Sequence, residues 1–208
     1  MTDFFYSESR AALPRIGDAD AVERGLADWA ERCARLEDVT AAAVGALAEN
    51  PGVRPLLAAI LGNSPFLTHC VLSDVAFFAK LVAGDPGVVL GEVLRRLKAD
   101  VAPLVERDRV MAELRIARRQ VALLVAIADL TGYWALDDIL AALSDFADTA
   151  IATAVSHLLL QVADRGELSL PTPDEPQREC GYVVLAMGKL GARELNYSSD
   201  VDLIVLFD

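Results

Sequence analysis

Gly181-Tyr-Val-Val-Leu-Ala-Met-Gly-Lys-Leu-Gly-Ala-Arg-Glu-Leu-Asn-Tyr-Ser-Ser-Asp-Val-Asp-Leu-Ile-Val-Leu-Phe-Asp208 is the stretch whose reading decides the fold. Two apolar runs, Tyr182–Met187 and Val201–Phe207, flank a polar loop that opens on Gly188-Lys189. Both runs are almost continuously apolar, which predicts strands covered on two faces. Asp200 and Asp202 stand two apart at the head of the second run. Side chains alternate across a strand, so this spacing predicts two carboxylates on one side. Such a pair can share one divalent cation or bracket two. Nucleotidyl transfer needs that arrangement, because metal ions neutralise phosphate charge and hold the reacting oxygens in line.

Upstream, the pattern is a 3.6 periodicity. Residues 1–17 read as a polar lead-in and residues 18–165 as an all-helical region. Asp18 or Asp20 caps a helical segment over Ala19–Glu49, and Asn50-Pro51-Gly52 ends it. A short helix follows over Arg54–Leu61. Ser64-Pro65 pairs a capping hydroxyl with proline at the first helical position, and the helix it opens runs to the break at Gly84. Asp85-Pro86 repeats the signal for a helix through Lys98. Two long helices follow, Pro103–Leu130 closed by Gly132, and Asp137–Ala163 closed by Arg165-Gly166. No fixed-period repeat is present, so a solenoid of identical units is not expected. Residues 166–180 carry Pro171, Pro173 and Pro176 and predict an extended connector. Residues 181–208 then begin a second domain. Since two strands alone are marginal, the β-domain is expected to continue beyond Asp208. The fold class expected is α+β: a large helical region, then the first two strands of a larger sheet.

With 208 residues, 54% of them hydrophobic, the chain can bury a sizeable core. Its net charge of −12 argues against a general nucleic-acid binder, which shows a basic stripe. Cys33, Cys70 and Cys180 are far apart, and no C-x-x-C pair exists, so neither a disulfide framework nor a zinc site is expected. Buried thiols in a reducing, cytoplasmic setting fit better. The start lacks a basic region followed by a long apolar core, and Val121–Ala128, the longest apolar run, is far short of a bilayer span of about 20 residues.

Each motif residue has a chemical role to offer. Gly188 lets a phosphate approach the main chain, because no Cβ stands in the way. Lys189 offers a point charge to phosphate oxygens, with an ion pair inside the protein as the alternative. Ser198 and Ser199 can donate to phosphate or to the aspartates. Asp200 and Asp202 are candidate catalytic groups and candidate Mg2+ ligands, since that ion takes one or two carboxylates plus phosphate oxygens and water. Glu194 and Asn196 read as groups that shape the loop. Other phosphate loops fail on spacing: Val183 and Leu190 occupy the places that a Walker A loop gives to Gly and Ser or Thr, and Gly188-x-x-Gly191 lacks the three-glycine spacing of a dinucleotide fingerprint. Arg115, Arg118 and Arg119, with Arg107 and Arg109 upstream, read first as a solvated or ion-paired face. Trp29, Trp134 and Tyr133 read as core or inter-helix anchors, and His69 and His157 as buried structural groups.

The apolar residue, Gly188-Lys189, ten further residues and Asp200-Val-Asp202-Leu together resemble the signature of the DNA-polymerase-β-like nucleotidyltransferase superfamily. The fuller string Met187-Gly-Lys-Leu-Gly-Ala-Arg-Glu-Leu-Asn-Tyr-Ser-Ser-Asp-Val-Asp-Leu-Ile resembles one family more closely, the bifunctional glutamine synthetase adenylyltransferase/adenylyl-removing enzymes. Ala192 stands where that family commonly has Gly, and Tyr197 where it commonly has Phe. Ser64-Pro-Phe-Leu, Leu114-Arg-Ile-Ala-Arg-Arg and Leu143-Ser-Asp-Phe-Ala-Asp carry a looser likeness through the helical region. The resemblance implies a chain with two nucleotidyltransferase domains, one removing AMP from a tyrosine of glutamine synthetase with phosphate as acceptor and ADP as product, the other attaching AMP from ATP. It implies a PII signalling protein and glutamine as regulators. The helical region that precedes the motif matches the first, adenylyl-removing copy. Asp200 and Asp202 would then position Mg2+, with a third carboxylate on a later strand, so the 208 residues by themselves are expected to be inactive. Two readings stay open beside this one: another protein nucleotidyltransferase such as a uridylyltransferase, and a non-catalytic helical regulatory module.

Overall fold

The computed structural model describes residues 12–36, 38–103 and 106–208. The polar lead-in through residue 11 lies outside the described residues. Helices α1 (Ala19–Cys33), α2 (Asp38–Gly45), α3 (Arg54–Leu61), α4 (Pro65–Ser73), α5 (Val75–Ala83), α6 (Pro86–Arg96), α7 (Arg107–Leu130) and α8 (Leu136–Asp164) precede strand β1 (Tyr182–Ala186), the one-turn helix α9 (Gly188–Gly191) and strand β2 (Leu203–Phe207). The order is helices first, then an antiparallel ribbon, an α+β chain.

Capping chemistry sets the helix starts. Asp18 Oδ1 accepts from Ala21 N at 2.9 Å, Ser64 Oγ from Leu67 N at 3.2 Å and Asp85 Oδ1 from Val88 N at 3.0 Å. The segment opened by Ser64-Pro65 differs from the expectation of one continuous helix. Asp74 leaves helical geometry, accepts from Phe77 N at 2.9 Å and restarts the chain as α5, bent 95° from α4. An aspartate inside an apolar stretch competes with the helix for backbone donors, and here it wins as a new cap. The Ala19–Glu49 segment likewise divides into α1, α2 and a 3-10 turn at Ala46–Glu49. After α6 the chain makes a π-helical turn, Leu97–Val101.

Two compact units result, one formed by the residues through Val89 with Ala122–Ala135, the other by Leu90–Val121 with Leu136–Asp208. In the first, Trp29 and Phe78 are fully buried and meet edge to face at 5.4 Å between ring centres. Leu56, Leu57, Ile60 and Leu81 complete that core. Tyr133, expected as an anchor, is exposed, and its hydroxyl donates to Asp85 Oδ2 at 3.1 Å.

In the second unit, α8 packs on the π-helical turn, with Leu97, Val101, Ile139, Ala142 and Ala147 buried. Arg96 joins Glu113 in an ion pair and donates to Gln120 at 3.3 Å. Arg115 and Arg118 are exposed, as the solvated-face reading expects. The connector is not extended. It is a chain of turns, Glu175 N bonding Thr172 O at 3.0 Å and Arg178 N bonding Glu175 O at 2.8 Å. Gln177 Nε2 donates to Ala152 O and Ser156 Oγ at 2.8 and 2.7 Å, which ties those turns to α8. The prolines fix φ in a range that turns share with extended chain, so their spacing does not separate the two.

By length and composition α8 could cross a bilayer. Its Asp145 and Asp148, however, are engaged by Arg193, and Ala142, Ser144, Thr149 and His157 are buried, as in a core helix. His157 matches its expectation. His69 does not: it is exposed, its ring Nε2 3.4 Å from Ser73 Oγ, because it falls on the outer side of α4. The three cysteines are free thiols, Cys33 and Cys70 buried and Cys180 half-buried.

Candidate functional site

The hairpin pairs Tyr182 with Phe207 through Ala186 with Leu203. Met187 N donates to Asp202 O at 2.9 Å, which carries the same register one pair further. Pairing then stops. Gly188 takes φ +55°, a left-handed conformation that glycine adopts without penalty, and the chain turns into α9. With β1 curling away, nothing opposes Val201 or Asp200. The strand therefore begins two residues later than the apolar run suggests, at Leu203. Asp202 keeps its strand-like place, whereas Asp200 lies outside the ladder and owes no orientation to strand alternation.

The structure brings Gly188 and Asp202 together: a Cβ built on Gly188 would stand 3.8 Å from Asp202 Oδ2. Lys189 follows directly and is exposed, as are Ser198, Asp200 and Asp202. Neither carboxylate has a hydrogen-bond or ion-pair partner among the described residues, and the Lys189 ammonium is likewise unpaired. The internal ion pair that would have explained Lys189 is thus not formed. Ser199 is committed elsewhere, its hydroxyl donating to Asn196 Oδ1 while accepting from Asn196 N at 3.4 Å. Asn196 does shape the loop, as its sequence suggests. One free acid, Asp202, stands beside a side-chain-free glycine, and a hard divalent ion takes such a carboxylate together with phosphate and water oxygens. No cluster of three metal-ligating side chains occurs among the described residues.

Gly191 is fixed by packing. A Cβ there would meet Ala186 O at 2.5 Å, closer than atoms approach. Ala192, in contrast, has ordinary right-handed angles, φ −82° and ψ −5°, so a side chain fits there.

One element of the loop was not picked out from the sequence. After α9 the chain closes with Arg193 N bonding Leu190 O at 2.9 Å and Glu194 N bonding Lys189 O at 2.7 Å. These bonds form a Schellman closure, in which the residue past the cap is left-handed and is usually glycine. Gly132 and Gly166 hold that seat after α7 and α8, with φ +64° and +72°. Here it is held by Arg193, at φ +59°. Its guanidinium reaches α8, with Nη2 at 2.5 Å from Asp145 Oδ1 and Nη1 at 3.3 Å from Asp148 Oδ2, and the hydrogen bond and charge of Asp145 push its pKa up further. Leu190 and Leu195 are buried on either side, and Leu195 N donates to Ser144 Oγ at 3.4 Å. The available signal was the block Leu143-Ser-Asp-Phe-Ala-Asp, whose Ser144, Asp145 and Asp148 are the residues that hold the loop.

A cleft of about 740 Å³ in the second unit lies elsewhere, lined by Lys98, Thr153, Ser156, Pro173 and Gln177 among others, and it contains none of the sequence-predicted site residues.

Comparison with known proteins gives one consistent answer. The sequence profile of the glutamate-ammonia ligase adenylyltransferase family matches residues 55–208. A bifunctional glutamine synthetase adenylyltransferase/adenylyl-removing enzyme of Bradyrhizobium sp. (strain BTAi1) is 40% identical over 195 residues, 94% of this chain and 20% of that protein. Proteins of the same description from Bradyrhizobium diazoefficiens and Xanthobacter autotrophicus are each 38% identical, over 95% and 94% of this chain and 20% and 19% of theirs. The chain therefore spans about a fifth of the length of the curated relatives it matches. No solved structure matches it.

Proposed function

This chain belongs to the glutamate-ammonia ligase adenylyltransferase family, and on that premise we propose that it carries the helical region and the opening hairpin of a nucleotidyltransferase domain acting on glutamine synthetase, in the adenylyl-removing half. In a chain of the relatives' length, further strands cover the ribbon and complete the sheet. The observation that carries the reading is the juxtaposition of Gly188 and Asp202, with Asp200, Asp202 and Lys189 all lacking protein partners among the described residues.

The reaction proposed is phosphorolysis of the AMP–tyrosine linkage. An oxygen of inorganic phosphate attacks the AMP phosphorus, the bond to the tyrosine oxygen breaks, ADP departs and the tyrosine oxygen takes up a proton. Gly188 leaves room for the AMP phosphate beside the main chain, since even a methyl group there would face the Asp202 carboxylate. Lys189 adds positive charge where three anionic groups must meet. Asp200 and Asp202 would hold Mg2+, which when bound neutralises phosphate charge. A third carboxylate would come from a later strand. Phosphate, ADP, ATP and a PII regulator belong to this proposal as substrates, products and partner of the whole protein.

The test uses a chain of the relatives' length. Asp200→Asn and Asp202→Asn should each abolish phosphate-dependent ADP release from adenylylated glutamine synthetase while the unfolding midpoint stays near wild type. Unchanged release in both variants would defeat the proposal and favour a non-catalytic module. The 208 residues alone, with two acids rather than three, should release no ADP.

A further inference from the structure

Arg193 sits in a conformation that suits glycine, and its side chain is spent on α8 rather than on the exposed site next to it. Asp145 and Asp148 are three apart on a helix, so they share a face and can both meet one planar guanidinium. The same turn of α8 supplies Ser144 to the main chain two residues further along the loop. Leu190 before Arg193 and Leu195 after it are buried. The loop is thus tied down on α8 between the two halves of the motif, three residues past Leu190 and seven before Asp200.

We propose that Arg193 is a positioning residue for nucleotidyl transfer: by bridging Asp145 and Asp148 it holds the loop so that Gly188-Lys189 and Asp200-Val201-Asp202 keep their working distance. The inference rests on the site reading given above. Stability alone does not account for the contact. The three side chains are about half exposed, at 52%, 47% and 52%, and exposed ion pairs contribute little to folding. Reacting groups, in contrast, are sensitive to small displacements, and a shift of about 1 Å from a remote change can cost about a hundredfold in rate.

Arg193→Gly is the discriminating variant, because glycine suits the left-handed seat and removes only the side chain. Arg193→Lys keeps the charge but cannot fork across two carboxylates. Asp145→Asn/Asp148→Asn removes the other side of the contact. In a chain of the relatives' length, Arg193→Gly should lower kcat for ADP release about ten- to a hundredfold, with little change in KM for phosphate and an unaltered unfolding midpoint. Amide hydrogen exchange over residues 188–199 should accelerate about tenfold while α8 stays protected. Arg193→Lys should fall between, and the paired aspartate variant should match Arg193→Gly and add nothing to it in combination. Wild-type kcat in Arg193→Gly would overturn the proposal, even with faster loop exchange, since the contact would then be a staple without consequence for the reaction. Exchange that rises equally in α8, with activity tracking the folded fraction, would overturn it too. The two readings fail separately: ADP release that survives Asp200→Asn and Asp202→Asn defeats the site, whereas loop exchange in Arg193→Gly reports on the contact whether or not the chain is active.

Discussion

Replacing Gly191 by alanine should do more damage than any other single methyl group added to the motif. The Cβ would lie 2.5 Å from Ala186 O and 3.2 Å from its carbonyl carbon. Both are main-chain atoms at the end of β1, so no side-chain rotation relieves the clash. To restore a tolerable contact, α9 and β1 must separate by about half an ångström or more, against the Met187 N–Asp202 O and Gly191 N–Met187 O bonds at 2.9 and 3.2 Å. Overpacking of this kind costs about 1–3 kcal/mol. Two controls bracket it. At Gly188 a Cβ has room, 3.8 Å from Asp202 Oδ2, but φ is +55°, and left-handed geometry costs a residue with a side chain about 1–2 kcal/mol. At Ala192 the angles are right-handed, so Ala192→Gly relieves nothing and should lose at most about 1 kcal/mol through chain entropy. Hydrogen exchange across 182–207, with urea denaturation alongside, should rank Gly191→Ala as the most disruptive and Ala192→Gly as the least. Wild-type protection of the Met187 and Gly191 amides in Gly191→Ala would refute the close approach on which this ranking rests.

In the first unit, Trp29→Ala should cost about 3–5 kcal/mol in urea denaturation, because the ring is 1% exposed and packs on Phe78; a loss under 1 kcal/mol would show that the core does not close on that ring. Tyr133 should titrate above the usual tyrosine range, since its hydroxyl donates to Asp85 and ionisation would set two negative charges together. The unfolded chain then loses that proton first, so stability should fall as pH rises past about 10. Ultraviolet titration should show the Tyr133 shift disappear in Asp85→Asn. A thiol reagent at pH 8 should label Cys180 before Cys33 and Cys70, because both of those are buried and burial pushes the Cys33 thiol further up; equal labelling of Cys33 and Cys180 in the folded chain would contradict that burial.

The starts of α1, α3, α4 and α6 were legible because each rests on local chemistry, a capping oxygen or a proline, within four residues. The break at Asp74 was not, since an aspartate reads equally as a solvated helical residue until tertiary packing chooses. The strands were legible as apolar runs, yet their cover was not. A run records what a strand would bury, and in the structure all five β2 residues are exposed, Phe207 at 80%. Asp200 and Asp202 were singled out by spacing, but the same-face argument holds only for an ideal strand, and the turn at Gly188 removes Asp200 from it. Arg193 escaped because its left-handed seat has no glycine to mark it and both side-chain partners lie 45 and 48 positions away.

That distance explains how the hairpin can be ordered at all. A two-stranded ribbon is marginal on its own, and every β2 residue stays at least 42% exposed here. The strands alone are therefore a weak hold on the loop. Leu190 and Leu195 are buried to 2% and 7%, Leu195 N bonds Ser144, and Arg193 spans Asp145 and Asp148, all between α9 and the aspartates. The connection is anchored at its middle, on α8, and the two strands leave that anchor in register. Deleting the anchor while sparing the strands, as in Leu195→Ala, should thus loosen the Met187–Asp202 end of the ribbon before the Tyr182–Phe207 end. Hydrogen exchange that frays first at Tyr182 and Phe207, with Met187 still protected in Leu195→Ala, would show that strand pairing and not the helix holds the site together.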